Sequence, residues 1–455
     1  MAKKQLTIEE KLQAALVPAE EQPYKVPENW CWVRLDKLYR VNPKNENTDD
    51  DMSASFISMA NIDGGMASNF TYEIQPWKQA KKGHTQMADG DVAFAKISPC
   101  FENRKSMIVE GLENGIGGGT TELIILRQPN VNKKYTFWLV STEEFISKGR
   151  TTYSGTVGQQ RISMDFVKNY PVPLAPLNEQ SRIVARIESL FAKLDEAKEK
   201  IQEVLDGADL RRAAILHQAF TGKLTEKWRK ENGVADKWIE TSSAKLFEYV
   251  TSGSRGWAQY YSSDGAIFLR MGNLNHGTID LDLNDIQYVS LPDKTEGQRS
   301  RVKKGDILIS ITADVGMVAC IKTDMEEAYI NQHVALARPV EGVYSEFIAW
   351  YFVSDVGLKQ LQNMQRGATK VGLTLKDIKS VKLKMPQIEE QKEIVRLLDN
   401  LLSREQSTVT ACEEALTTID TLKKSILARA FRGELGTNDP ADPSAKELLR
   451  EILSA

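Results

Sequence analysis

Apolar residues recur in alternating steps of four and three at two places along the chain. Ile183, Ile187, Leu190, Leu194, Ala197, Ile201, Val204, Ala208 and Ile215 form one ladder, with Arg211 as its only charged rung. Ile394, Leu398, Leu401, Cys412, Ala415, Ile419, Leu422 and Ile426 form the other, with Glu405 and Thr408 in its middle. Sustained over several heptads, this period predicts helices with a coiled-coil seam. Pro176 and Pro386 stand where a helix start tolerates proline, and Gly222 and Gly433 supply stops. Gly207 alone interrupts the first ladder. About 40 residues at ~1.5 Å rise make a rod of roughly 60 Å.

The ladders lie in segments 179–224 and 390–435, which are one segment written twice, 211 residues apart and without a gap. Glu179-Gln180 matches Glu390-Gln391, and Ala219-Phe220 with Gly222 matches Ala430-Phe431 with Gly433. The period is too long for a solenoid and implies a duplicated half-molecule. Two such stripes in one chain most simply bury each other as an antiparallel pair.

Between the ladders the pattern changes. Residues 25–175 and 226–385 carry short apolar runs broken by Gly, Pro, Asn and Asp, the signature of short strands and loops. The two modules share landmarks. Trp30 matches Trp238, Gly90-Asp91-Val92 matches Gly305-Asp306-Ile307, and the glycine loop at 155–166 matches that at 367–378. The expected fold is α+β, with two mixed modules separated by a long antiparallel two-helix coiled coil and related by a pseudo-two-fold repeat. Six segments follow: a helical stretch 1–24, module 25–175, helix 176–225, module 226–385, helix 386–436 and a tail helix 437–455.

Composition adds constraints. With 59 Lys+Arg against 62 Asp+Glu, the net charge is −3, so any nucleic-acid surface must be a local patch. No run approaches the ~20 apolar residues that span a bilayer, and the first residues lack the apolar core of a signal peptide. Cys31, Cys100, Cys320 and Cys412 are isolated, and the four histidines do not pair at ligand spacing. Disulfide and zinc frameworks are therefore not expected, and the cytoplasm is the expected compartment.

Enzymatic signatures are sparse. The sequence has no phosphate-loop motif, no nucleophile elbow and no HExxH pair. Asn42-Pro43 is followed by Lys44, unlike the Asn-Pro-Pro-aromatic segment of amino-methyltransferases. Gly115 to Thr121 reads as a flexible loop. Asp89, Asp91 and Lys96 resemble a nuclease set, but the second module offers only Lys304 and Asp306, so a turn-capping aspartate is favoured. Candidate DNA contacts are more numerous. They are Lys96, Asn103, Arg104, Lys105, Gln159, Gln160 and Arg161 in the first module. In the second they are Ser254, Arg255, Trp257, Arg270, Asn273, Asn275, Arg366 and Lys370. Arg can pair with guanine and Asn or Gln with adenine in the major groove, while Lys holds phosphates.

Pro27-Glu28-Asn29-Trp30, Ser252–Gly256, the doubled helix start at Pro176–Gln180 and Pro386–Gln391, and the helix exits at 219–224 and 430–435 form one set of landmarks. On these the chain resembles the specificity subunits of Type I restriction–modification systems. The resemblance implies two target-recognition domains, each reading half of a split duplex site, with the helices setting the spacer. It implies docking of two modification subunits through the coiled coil (Ile183, Ile187, Leu190, Leu194, Ile201, Ile215, Ile394, Leu398, Leu401, Ile419, Leu422 and Ile426). A restriction subunit would join that complex. S-adenosylmethionine, ATP and Mg would then sit on the partners, and no catalytic residue, metal or cofactor would belong to this chain. A rigid rod would place the half-sites about one helical turn, ~34 Å, apart or slightly less. A coiled-coil scaffold and a single-chain DNA-modifying enzyme are the rival readings. Two extensions concern the ends of the sequence. The stretch from Thr7 to Leu16 is expected to pack on the distal end of the second long helix. The tail helix, with Leu448, Leu449, Ile452 and Leu453, is expected to dock a partner.

Overall fold

Residues 40–127 form two four-stranded sheets. The computed structural model describes residues 7–46, 48–292, 298–365 and 372–454, and the protein is α+β. It divides into two units, the first of residues 1–200 and 415–455, the second of 201–414. In the first unit an antiparallel sheet runs Arg40–Val41, Leu123–Arg127, Val92–Ala95, Ser106–Ile108. Another runs Glu73–Pro76, Ser53–Ile57, Ile116–Gly119, Thr85–Ala88, with a parallel pair at its centre. A two-stranded ribbon pairs Cys31–Arg34 with Pro171–Leu174.

The second unit is built on the same plan. Its antiparallel sheet runs Phe247–Ser252, Val334–Pro339, Ile307–Ser310, Val318–Cys320. Its mixed sheet runs Tyr261–Ser262, Gln287–Val289, Ala266–Leu269, Ala328–Ile330, and its ribbon pairs Ile239–Ser242 with Lys382–Met385. The mixed sheets differ at their rims. The first unit adds Thr85–Ala88 beside its parallel pair, and the second adds Tyr261–Ser262 at the opposite edge.

One ion pair recurs in both frames. Asp91, almost wholly buried, caps its turn by accepting from the Ala88 amide and takes a two-pronged bond from Arg127, at 2.7 and 2.8 Å. Asp306 does the same with the Lys303 amide and Arg338, at 2.8 and 2.7 Å. Such bidentate pairs fix geometry as well as charge. These aspartates brace the strands.

The glycine run departs from the flexible loop expected of it. Ile116–Gly119 is one of the two inner strands of the mixed sheet, and Gly117–Gly119 are buried. The helix Trp77–Ala80 lies directly on it, so a Cβ on Gly118 would collide with the Ala80 carbonyl. Close backbone approach is what demands glycine here. Gly118→Ala is expected to destabilise the fold by about 1–3 kcal/mol or more through overpacking, read as a lowered denaturant midpoint at unchanged slope.

The first ladder forms helices Leu177–Asp206 and Ala208–Phe220, broken at Gly207, and the second forms one helix, Ile388–Ala430. In the first unit Ile183, Val184, Ile187 and Phe191 join Leu427, Ala430 and Phe431 in the core of the first module. In the second, Leu216, Ala219 and Phe220 join Ile394, Val395, Leu398 and Leu402 against the second module. Among the expected seam residues Leu190, Leu194, Ile201, Ile215, Leu401 and Ile426 are half-buried. Leu422 is corrected outright, being 45% exposed, while Leu427 is fully buried. The polar rungs meet: Arg211 Nη2 lies 2.7 Å from Glu405 and also donates to the Val204 carbonyl. Packing at the helix ends and polar contact in the middle thus replace a uniform apolar seam.

The doubled Glu-Gln explains itself at the helix starts. Gln180 donates to the Ala175 carbonyl at 2.8 Å and Gln391 to the Pro386 carbonyl at 2.9 Å. Glu179, fully buried, accepts from Trp30 Nε1 at 2.6 Å and Asn438 Nδ2 at 2.7 Å. Glu390, equally buried, accepts instead from Thr225 and Arg229, both at 2.6 Å.

The N-terminal helix Ile8–Ala15, closed by a Thr7–Glu10 capping box, packs on the tail helix Ala445–Ser454, in a core that also takes in Leu427, Ala430 and Phe431 of the second long helix. Leu12, Ala15, Ala445 and Leu449 are buried together. Lys11 Nζ donates to the Leu453 carbonyl at 3.2 Å, and Arg450 pairs with Glu9 at 3.0 Å. Leu448, Leu449, Ile452 and Leu453 therefore turn onto the protein's own core, which corrects the open docking face expected of them.

Candidate nucleic-acid interface

In each unit three loops converge where a strand of the antiparallel sheet ends. In the first unit Val92–Ala95 runs into Lys96, whose amide donates to the Glu122 carbonyl at 2.8 Å. The Lys96 carbonyl accepts from Ile162, and the Ser98 amide donates to the Gln160 carbonyl at 2.8 Å. A tight pair of bonds between Ser154 and Arg161 closes the glycine loop. Arg161 then forks onto Glu122 at 2.9 and 2.8 Å, and those bonds hold the Glu122 carboxyl below its ordinary range. Lys96, Gln159, Gln160 and Arg161 are thereby brought together, with Gln159 exposed and Val157 at the loop tip 89% exposed.

Three neighbours play other parts. Arg104 donates to the Ser141 carbonyl at 3.0 Å and pairs with Glu143, while Lys105 Nζ donates to the Met59 carbonyl at 2.8 Å. Both side chains are held by bonds within the protein, as Arg161 is by Glu122. Asn103 stays exposed beside them.

The second unit builds the same junction from different side chains. The Ile311 amide donates to the His333 carbonyl at 3.0 Å, as Lys96 does to Glu122, and Leu373 donates to the Ile311 carbonyl. Thr312 Oγ1 lies 2.7 Å from His333 Nδ1, and Gln332 Nε2 lies 2.9 Å from His333 Nε2. Nearby, His276 Nε2 meets Asp314 at 2.8 Å. Ser254 bridges to Asn331, which positions exposed Arg255. Arg366 and Lys370 lie outside the described residues.

Two expected contacts are corrected by burial. Trp257 is 5% exposed and stacks on Phe268 at 5.5 Å, a core role. Asn273 is 2% exposed and spends its side chain on the Arg270 amide and the Asp282 and Asp285 carbonyls. That turn presents Arg270, itself paired with Asp285 at 2.9 Å, and leaves Asn275 exposed. Glu122, His276, Thr312, Gln332 and His333 were not singled out from the sequence. The 211-residue offset contains the signal, because it carries Glu122 onto His333 and Arg127 onto Arg338.

The two units thus build the same junction on one frame and line it with different polar side chains. The family described as the Type I restriction modification DNA specificity domain matches residues 113–206 and 258–414, more than half of the chain. The chain belongs to this family. It is 36% identical over 228 residues to the Type I restriction enzyme EcoAI specificity subunit of Escherichia coli, covering 50% of this chain and 38% of that protein. It is 34% identical over 234 residues to the EcoEI specificity subunit, covering 50% and 39%. These matches thus span well under half the length of either relative. A longer match, 26% over 374 residues, joins it to the putative MjaX specificity subunit of Methanocaldococcus jannaschii, covering 80% and 82%. The fold is also that of the HsdS subunit from Thermoanaerobacter tengcongensis, with 21% identity and a TM-score of 0.67 over 91% of this chain and 99% of that one.

Proposed function

We propose that this specificity-family chain is the DNA-recognition subunit of a Type I restriction–modification complex. It reads a bipartite, asymmetric duplex site with one module per half-site. The carrying observation is the pair of equivalent junctions, in which Glu122 with Arg161 in one module is replaced by His333 with Thr312 and Gln332 in the other. Equal frames with unequal polar rims read unequal sequences, since base edges are distinguished by donor and acceptor pattern. The long helices act as a coiled-coil spacer and as the dock for two modification subunits. Lys423 with Asp195, at 2.5 Å, and Arg211 with Glu405 support their antiparallel pairing. Methyl transfer, with S-adenosylmethionine, and cleavage, with ATP and Mg, belong to the partner subunits. The complex works in the cytoplasm. Among the described residues no helix is long and apolar enough to cross a membrane.

The test is an exchange. Replacing residues 25–175 by the corresponding module of another family member, in a complex with modification subunits, is expected to change one half of the methylated site. Deleting one heptad from both helices is expected to shorten the unread spacer and leave both halves intact. A continuous target in methylation maps would refute the split-site reading. Turnover by the purified chain with S-adenosylmethionine and duplex DNA would favour the enzyme reading instead.

A further inference from the structure

We infer that the second unit carries an open docking cleft for an extended, aromatic-bearing segment of a partner protein, at the place which the first unit closes with its own Tyr24. The two places are equivalent by register. Phe220, Thr221 and Gly222 stand 211 residues before Phe431, Arg432 and Gly433. The ribbons pair identically: Trp32 faces Pro173, and Glu240 faces Lys384. A Cβ on Gly433 would lie 3.8 Å from Trp30 Cζ2, and one on Gly222 would lie 3.6 Å from Trp238 Cζ2.

In the first unit the place is filled. The Tyr24 hydroxyl donates to the Phe431 carbonyl at 3.3 Å, its ring meets Trp32 edge-on at 4.9 Å, and the Arg432 guanidinium lies 5.1 Å from the ring. The chain before it runs along the ribbon, with the Val17 amide donating to the Trp32 carbonyl at 3.0 Å and Leu16 bridging to Val33. Cys31 beneath this cover is 5% exposed.

In the second unit the cover is absent among the described residues. Glu240 replaces Trp32, and Ile239, in the place of Cys31, is 66% exposed. A cavity of about 780 Å³ opens there, lined by Phe220, Thr221, Trp238, Glu240 and Val356. That volume falls in the range of built ligand sites. The occupant is defined by what the first unit uses: an extended strand whose amide bonds the Glu240 carbonyl and whose aromatic ring enters beside Phe220. Adding a strand to a ribbon edge supplies main-chain bonds, and the cleft supplies selectivity. Lys237, Lys382 and Lys384 line it together with Asp236 and Glu240, so the rim offers partners to both signs of charge beside the aromatic residue.

The inference deepens the function proposed above, on which it rests for the partner's class, a modification subunit. A photo-crosslinking phenylalanine at position 240, which lines the cleft, in the full chain assembled with modification subunits, is expected to label one extended segment carrying Tyr or Phe. Val356→Trp, which fills the cleft, is expected to weaken assembly at least tenfold while leaving duplex binding in place. Glu240→Trp, at an exposed position that lines the cleft, serves the same purpose if Val356→Trp fails to fold. Labelling only of DNA or of a second copy of this chain, or assembly of both variants as tight as the parent, overturns the inference. Failure of the unaltered chain to bind a split site strikes the functional reading instead.

Discussion

Glu390→Ala is expected to destabilise the second unit by about 3–5 kcal/mol, because it strands a buried guanidinium. Glu390 is 1% exposed and Arg229 6% exposed, and the carboxylate takes bonds of 2.6 Å from Arg229 and from Thr225. Without it, Arg229 keeps, among the described residues, the Thr225 hydroxyl and a 3.4 Å contact to the largely exposed Asp236. A weak rim pair of that kind contributes little, on the order of 0–1 kcal/mol. The sharper test is the double variant Glu390→Leu with Arg229→Met. Apolar side chains of similar volume often match a buried ion pair in stability, so most of the loss should return. Urea unfolding of both variants beside the parent decides it. A double variant no better than the single one would show that the pair does more than satisfy its own charges.

Phe431→Ala is expected to cost the first unit about 3–5 kcal/mol, the usual penalty for emptying a buried aromatic site. Phe431 is 2% exposed, its ring centroid is 4.9 Å from that of Tyr135, and its carbonyl accepts from Tyr24. The Tyr135 hydroxyl is itself tied to the Pro173 carbonyl at 2.6 Å, so the ring cannot swing into the void. Burial pushes the Tyr135 hydroxyl far above its ordinary pKa, which keeps it a neutral donor. Hydrogen exchange should then show lost protection in Leu123–Arg127 with little change in Val334–Pro339. Equal loss in both strands would argue against two separately packed cores.

Much of this was legible because it was periodic. The ladder from Ile183 to Ile215 announced a helix, and the 211-residue offset announced a second one with the same ends. Composition could not reveal which rungs are buried. Leu402 and Leu427 outrank Leu401 and Leu422 because the modules pack on the helix ends from the side. The glycine strand at 116–119 was hidden for the opposite reason: its cause is the backbone of Ala80, far away in sequence. Among the candidate contacts, Gln159, Gln160 and Arg161 converge because a short loop returns on itself. Trp257 and Asn273 failed because residue type does not disclose direction, and both point inward.

The two units are also unequal in how the chain supplies them. The second is drawn from one continuous stretch, 201–414, whereas the first needs residues 415–455 to complete a core begun before residue 200. Leu427, Ala430, Phe431, Ala445 and Leu449 all cover apolar surface laid down by the first module. On the ribosome, therefore, the module made first is finished last, and its unclosed apolar face waits through the whole synthesis of its twin.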